Sequence, residues 1–211
     1  MKRRALLAGT GGLVAVGVAG CLSAVGMDEH EASPAGVAPD VREETGYEQV
    51  NVDELVVDRT VAGSEEVTVT NYLTEHEKGI ELGPIGTVQA AAFVVLTSPQ
   101  VSIAGQELNP IAEMPSEELI ELIEADFDGI DDVEHVSDGE TDVLEQETTE
   151  SIYGADAAFN GVTVDVNVHI TESVETAEDH LVTIGVYPEQ VESVESENIR
   201  SLQGSIVEDI N

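Results

Sequence analysis

The strongest structural signal in the sequence is IYGADAAFNGVTVDVNVHIT, residues 152–171. Asn160-Gly161 is a pair that two-residue β-hairpin turns prefer, because both central positions of such a turn take positive φ. Beyond the turn, apolar and polar residues alternate, and the apolar positions are Val162, Val164, Val166, Val168 and Ile170. Alternation with a period of two predicts an antiparallel strand with one buried and one solvated face. His169 falls on the polar side of this strand, which predicts a surface histidine.

Apolar runs on both sides of this hairpin predict further strands. They lie near residues 50–57, 67–73, 88–96, 133–136, 143–148 and 181–187. The run at 88–96 is almost continuously apolar, as expected of a strand that is buried on both faces. Helix signals occur in three segments: 39–45, which Gly46 follows; 116–127, which Ser116 opens; and 199–210, with Ile199, Leu202, Ile206 and Ile210 at helical spacing. The sequence therefore predicts an α+β fold, an antiparallel sheet with helices packed on one face.

The first residues have the composition of an export signal. Lys2, Arg3 and Arg4 precede an uncharged stretch at 5–20, and Cys21 follows it. The uncharged stretch is rich in Gly and Ala, and it is too short and too weakly apolar for a transmembrane helix. A charged start, a short apolar run and a small-residue cleavage point are typical of a signal peptide. The adjacent Arg3 and Arg4 predict export by the twin-arginine route.

Cys21 is the only cysteine of the chain, and it directly follows Val18-Ala19-Gly20. This order is that of a lipobox, in which a lipid alkylates the thiol and the cysteine becomes the first residue. We therefore expect a signal peptide at 1–20, a lipidated cysteine and tether at 21–33, and a single α+β domain at 34–211. The expected location is the outer face of the cell membrane, with the membrane contacted through the lipid on Cys21.

Acidic residues dominate the charge of the chain. It carries 44 Asp+Glu against 7 Lys+Arg, a formal net charge of −37. Removal of residues 1–20 would leave 4 basic residues and a net charge of −40. A field of that sign repels phosphate backbones, which excludes nucleic-acid binding as a main activity. Because 41% of the residues are hydrophobic and regularly patterned, we expect a folded domain adapted to high salt rather than a disordered chain.

The sequence carries no recognisable catalytic motif. It contains no GxSxG elbow, HExxH motif, P-loop or CxxC pair, so we predict no catalytic, cofactor-binding or metal-binding residue. The best cation candidate is the acidic segment from Asp126 to Asp132, but its spacing does not fit an EF-hand. Any two of the 44 carboxylates could meet in the fold. A carboxylate- or cation-dependent hydrolase therefore stays open as an alternative.

Several short pieces of the chain resemble a known family. They are the signal motifs, Ala32-Ser33-Pro34-Ala35, Glu44-Thr45-Gly46-Tyr47, Val69-Thr70-Asn71-Tyr72, Gly83-Pro84, and Gly105-Gln106 leading to Asn109-Pro110. With these pieces the chain resembles haloarchaeal exported lipoproteins that have a domain of unknown function. The resemblance implies a location at the cell surface and adaptation to high salt, and it identifies no catalytic residues. The element order is also similar to the antiparallel α/β/α sandwich of PsbP/Mog1-like proteins, an analogy of fold alone.

The leading functional hypothesis is a membrane-anchored extracellular lipoprotein that acts as a binding or accessory module adapted to high salt. The alternatives are the carboxylate- or cation-dependent hydrolase and a structural component of the cell envelope. The sequence leaves open whether the domain binds a protein partner or a small ligand.

Overall fold

The computed structural model describes residues 27–61, 65–103, 106–107, 114, 116, 119–120, 130–159, 161–208 and 210. Strands account for 65% of the structure and helical turns for 18%. The strands are β1 Met27–Glu31, β2 Gly36–Val37, β3 Glu48–Val61, β4 Glu65–Glu81, β5 Thr87–Pro99, β6 Ser102–Ile103, β7 Gln106–Glu107, β8 Ile130–Val143, β9 Gln146–Phe159, β10 Val162–Thr171, β11 Val174–Glu175, β12 Asp179–Pro188 and β13 Ile206–Val207. The helices are α1 Pro39–Thr45 and α2 Glu192–Gln203, with 3₁₀ turns at Gly83–Ile85 and Glu189–Val191.

Seven long strands form one sheet in the order β3-β4-β5-β12-β10-β9-β8, and every neighbouring pair in this row is antiparallel. The short strand β1 makes the sheet mixed, because it pairs in parallel with residues 66–70 of β4. The hairpin predicted at 160–161 is confirmed: Phe159 pairs with Val162, and Gly161 has a φ of 79°.

The sheet is covered on both faces. On one face Phe93 and Val95 of β5 pack in a core cluster with Ile199 and Leu202 of α2. On the other face, Val94 and Leu96 of the same strand share a cluster that includes Leu119, Val166, Val168 and Ile170. The near-continuous apolar run at 88–96 is therefore a central strand that is buried on both faces, as its sequence predicts.

Helix α2 lies against the sheet at Gly185 of β12. A Cβ built on Gly185 would stand 2.7 Å from Cδ1 of Ile199, so no side chain fits between strand and helix at this point. At both ends α2 reaches buried polar groups of the sheet, through Glu195 and Gln203.

The predicted fold class, α+β with helices packed on one face of an antiparallel sheet, is wrong, and so is the comparison with a PsbP/Mog1-like sandwich. The chain is mainly β, built on a large mixed sheet, and the described residues include two α-helices with defined bounds. The predicted helix at 39–45 is confirmed as α1, which Gly46 ends with a φ of 80°. The predicted helix at 199–210 ends at Gln203, and Ile206 lies in β13. Of the segment 116–127, Ser116, Leu119 and Ile120 are helical, and its other residues lie outside the described residues.

The strand content is higher than the sequence predicts because the long strands continue through polar residues, which give no apolar strand signal. β8 runs over 14 residues with most of its side chains exposed, where the sequence predicts a short strand at 133–136. The strand predicted at 143–148 contains a hairpin turn, because Leu144 and Glu145 have φ values of 51° and 59°. Neither residue is among the glycines and asparagines that favour such a turn, so no local signal marked it.

The described residues contain no helix with the length and apolar character that a bilayer crossing requires.

The contact between Gly185 and Ile199 predicts that a single methyl group added at position 185 destabilises the fold. Gly185→Ala should lower the free energy of unfolding by about 1–3 kcal/mol, because the methyl must displace Ile199 in a packed core. Gly139→Ala in β8 is the matched control, since no atom lies within 4 Å of its added Cβ. Denaturant unfolding in high salt measures both. In the double variant Gly185→Ala/Ile199→Ala, the smaller side chain at 199 should make room for the new methyl group, so the loss in unfolding free energy should be less than the sum of the two single losses. Strictly additive losses would contradict the contact between Gly185 and Ile199.

Candidate functional site

A strongly acidic groove lies where β8, β9 and β10 approach the start of α2. Its volume is about 770 Å³. Six carboxylate side chains line it: Asp132, Glu134, Asp156, Asp165, Glu189 and Glu192. His135, Val136 and Asn167 contribute to the same lining. A concave site of this volume is large enough for a small ligand or for part of an extended peptide.

Strand register brings the groove carboxylates together. Asp156 of β9 lies directly opposite Asp165 of β10 and, on its other side, opposite Asp131 of β8. Side chains of directly opposed residues are separated by about 5 Å at Cβ, so these acids must face one another. β8 loses its regular pairing between Asp131 and Glu134, and Asp132 adopts a φ of 52° at this bulge.

One carboxyl group of the groove, that of Asp156, has a raised affinity for its proton. The pKa of Asp156 is raised, first by partial desolvation and then by the charges of Asp165 and Asp132. A side-chain interaction with Asp165 contributes to the same rise in the pKa of Asp156. Two carboxyl groups in contact can share one proton, and a positively charged group can replace that proton.

The described residues contain no group of three or more His, Cys, Asp or Glu side chains arranged to hold a metal ion.

A buried polar network lies on the same face of the sheet, beneath α2. Glu150, His169 and Tyr187 are 3%, 2% and 1% exposed. Nδ1 of His169 is 3.0 Å from Oε1 of Glu150, although the contact lacks the alignment of a good hydrogen bond. Nε2 of His169 is 2.8 Å from the Tyr187 hydroxyl. The tautomer of His169 decides whether Nε2 or the Tyr187 hydroxyl is the donor in this contact.

Gln203 of α2 completes this network. Its Nε2 donates to Oε1 of Glu150 at 2.7 Å, and its Oε1 accepts a hydrogen bond of 2.8 Å from Thr141. Burial opposes ionisation of Glu150, but His169, Gln203 and Arg200 outweigh it, so that the pKa of Glu150 is lowered. Burial raises the pKa of Tyr187, as do the nearby charges of Glu192 and Glu150.

A second buried network holds the other end of α2. Nζ of Lys78 is 2.6 Å from Oε1 of Glu195, and the Tyr47 hydroxyl donates to Oε2 of the same carboxylate at 3.0 Å. The ammonium group also lies 5.5 Å from the centre of the Tyr47 ring. Burial and the Glu195 charge raise the pKa of Tyr47. These contacts join α2 to β4 and to the start of β3.

His135, Asp138 and Ser151 include the residue types of a nucleophilic triad, but in the wrong arrangement. Nε2 of His135 and Oγ of Ser151 both lie 2.9 Å from the same oxygen, Oδ1 of Asp138. Their hydrogen bonds lower the pKa of Asp138. A triad for acyl transfer requires the histidine between the serine and the acid, so that it can accept the serine proton. This exposed cluster is a carboxylate that accepts two hydrogen bonds.

Some of the residues singled out from the sequence lie in the described part of the structure, and others do not. Arg3, Arg4 and Cys21 lie outside the described residues. Of the acidic segment 126–132, the described residues include Asp131 and Asp132. Asp132 lines the groove, and Asp131 pairs with Asp156 in the sheet. The prediction that His169 is a surface histidine is wrong, because α2 covers the polar side of β10 at this position.

Sequence reasoning did not predict the groove or the buried networks. The available signal for the groove was the hairpin turn, which fixes the register that places Asp156 opposite Asp165. For Glu150, His169 and Gln203 no local signal existed, since 53 residues separate Glu150 from Gln203 along the chain.

The lowered pKa of Glu150 predicts a pH-dependent contribution to stability. Glu150→Gln should lower the free energy of unfolding by about 1.5–3 kcal/mol at pH 7, since it removes a buried charged hydrogen-bond acceptor. The native contribution is present above the ordinary pKa of 4.5 and is lost as the pH falls through the lower native pKa. The deficit of the variant should therefore shrink below about pH 4.5 in denaturant unfolding. Exposed Glu147→Gln is the matched control, and a deficit that stays constant down to pH 3 would contradict the assignment.

Comparison with known proteins identifies one family. A search of curated proteins finds no match to this chain. A family model described as a domain of unknown function, DUF6517, matches residues 34–207. The match extends from the residues just before β2 to the end of β13, and it includes the groove and both buried networks. The chain therefore belongs to the DUF6517 family.

Proposed function

We propose that the protein is an exported lipoprotein whose domain is held at the outer face of the membrane, where it acts as a binding or accessory module adapted to high salt. The observation that carries the proposal is the short distance between the expected lipid site and the sheet. β1 begins at Met27, six residues after Cys21. Six residues span roughly 20 Å at most, so a lipid on Cys21 would keep the domain against the membrane surface.

The groove is distant from this attachment point. Met27 pairs with Glu66 near the start of β4, whereas Asp165 lies three strands from β4 and Asp156 four, towards the opposite ends of the strands. Strand spacing and rise, with allowance for sheet twist, give a separation on the order of 35 Å. A domain tethered through Cys21 can therefore keep its groove open to the exterior.

The chemistry of the groove favours a positively charged ligand or segment. Its six carboxylates create a negative potential, and its concave shape concentrates that potential. Screening is strong in molar salt, where the Debye length is about 3 Å, so only groups in direct contact with the carboxylates gain binding energy. The groove is therefore suited to short-range recognition of a cationic group and not to long-range attraction.

The Asp156–Asp165 pair is the one observation that favours the alternative of a hydrolase. Two carboxyl groups that share a proton can supply both a general acid and a general base. Such an activity would depend on pH and would be lost in Asp156→Asn and in Asp165→Asn individually. A binding module has no such requirement for a titrating pair.

The anchor is tested by replacement of Cys21. Cys21→Ser should move the domain from the membrane fraction to the medium, because the thiol that would carry the lipid is gone. Arg3→Lys with Arg4→Lys should instead retain the protein in the cell, if export uses the twin-arginine route. Fractionation of cells at native salt with immunodetection measures both. Cys21→Ser protein that stays in the membrane fraction would overturn the anchor.

The binding role of the groove is tested by site-specific photo-crosslinking in cells. Val136 is 63% exposed and lines the groove, so a photo-reactive amino acid at this position should capture a reproducible partner. Val194 on α2 is 56% exposed and lies outside the groove lining, which makes it the matched control. Capture at 136 should be lost in the Asp156→Asn/Asp165→Asn variant. Equal capture from both positions, or capture that survives this variant, would contradict binding in the groove.

A further inference from the structure

The first strand of the sheet, β1, pairs with its neighbour in a different way from the other strands. β1 pairs over five positions with β4, and it makes the one parallel pairing among the described strands of the main sheet. Parallel pairing is slightly weaker per residue than antiparallel pairing. Where its side chains are described, β1 buries little: Glu29 and Glu31 are exposed and His30 is partly exposed.

Carboxylates of β1 face carboxylates of β3 across β4. Glu29 and Asp58 lie on either side of Thr68, which donates a 2.7 Å hydrogen bond to Asp58. Two strand spacings put these acidic positions about 10 Å apart.

A second pair of carboxylates converges on Tyr72. Its hydroxyl donates to Glu31 at 2.6 Å and also interacts with Glu54 of β3. The hydrogen bond to Glu31 is the main reason that the pKa of Tyr72 is raised to about 12. The side chains that dock β1 therefore include two like-charged pairs.

The chain becomes firmly packed directly after β1. Ala32 is 5% exposed and donates a 3.0 Å backbone hydrogen bond to Thr70. The Ser33 amide donates to Oδ2 of Asp179 at 3.0 Å, and Ala35 and Val37 are buried in the core beneath α2. The family match covers residues 34–207, so β1 lies outside the matched residues. These observations place a boundary between a lightly held strand and a firmly held domain near residue 32.

We propose that β1 is a salt-dependent strap, which docks on β4 at high ionic strength and detaches when the ionic strength falls. Lower salt lengthens the screening distance from about 3 Å at 1 M to about 10 Å at 0.1 M. At 0.1 M the screening distance is about as long as the separation between the carboxylates of β1 and those of β3, so these carboxylates then repel one another. The rest of the sheet keeps its pairing, because its central strands are held by buried apolar side chains on both faces.

Detachment would change the reach of the N-terminal tether. With β1 docked, residues 22–26 link Cys21 to the sheet, and with β1 detached the link extends to residue 31. Five further residues add up to about 18 Å. This consequence for the distance between domain and membrane rests on the proposed lipid anchor, whereas the detachment itself does not.

Hydrogen exchange measured by mass spectrometry tests the strap in the full chain carrying Cys21→Ser, so that lipidation does not enter the result. Between 2 M and 0.1 M KCl, protection of the amides at 29–31 should fall at least tenfold, while protection of the β12 amides at 181–186 stays unchanged. Loss of protection in both segments together would indicate global unfolding and would overturn the proposal. Protection at 29–31 that does not depend on salt would also overturn it.

Charge-neutral variants separate repulsion from other effects of salt. Glu29→Gln/Glu31→Gln should keep its β1 protection at 0.1 M KCl, since the amide oxygen introduced at position 31 can still accept the Tyr72 hydrogen bond. Glu147→Gln/Glu172→Gln removes the same charge from exposed positions away from β1 and should behave like the parent chain. Betaine at matched osmolality should not restore protection in the parent chain. Equal behaviour of the two variants, or rescue by betaine, would contradict control by carboxylate repulsion.

Discussion

The pairing of Phe159 with Val162 across a two-residue turn fixes the position of every side chain in the β9–β10 hairpin. A shift by one residue would move each side chain to the opposite face of the sheet. In the observed register, Val166 and Val168 enter one core, and Glu150 and His169 meet beneath α2. The same register places Asp156 opposite Asp165, three residue pairs from the turn-flanking pair. Core, buried network and groove are thus three consequences of one turn.

The two buried glutamates explain how a mainly β domain positions its second helix. A carboxylate removed from water must be compensated by donors or cations in fixed geometry. Glu150 is compensated by Gln203 and the neighbouring His169, and Glu195 by Lys78 and Tyr47. The two sets of partners lie at opposite ends of α2, so they determine where the helix sits along the sheet. Apolar contacts such as that of Ile199 with Gly185 supply the close packing between them.

Local signals in the sequence were sufficient for some elements and absent for others. The Asn160-Gly161 turn, the apolar run of β5 and the Pro39–Thr45 helix were predictable, because turn chemistry, burial on both faces and helix caps act over a few residues. The opposition of Asp156 and Asp165 also follows from the predicted turn, since the register of a hairpin with a two-residue loop is fixed. β8 was predicted too short because an edge strand needs little apolar surface. His169 was misjudged because its cover comes from a helix more than twenty residues further along the chain.

The buried contact of Lys78 also determines which labelling chemistry can report on this domain. Lys78 is the only lysine after residue 20, and its ammonium group is engaged by a carboxylate whose side chain is 3% exposed. Amine-reactive esters, the usual reagents for surface mapping and immobilisation, therefore have a single and poorly accessible side-chain target beyond that point. Carbodiimide coupling through carboxylates has dozens of targets. Footprinting of this surface therefore needs reagents that modify carboxylates. Acylation of Lys78 would indicate that α2 has loosened from the sheet.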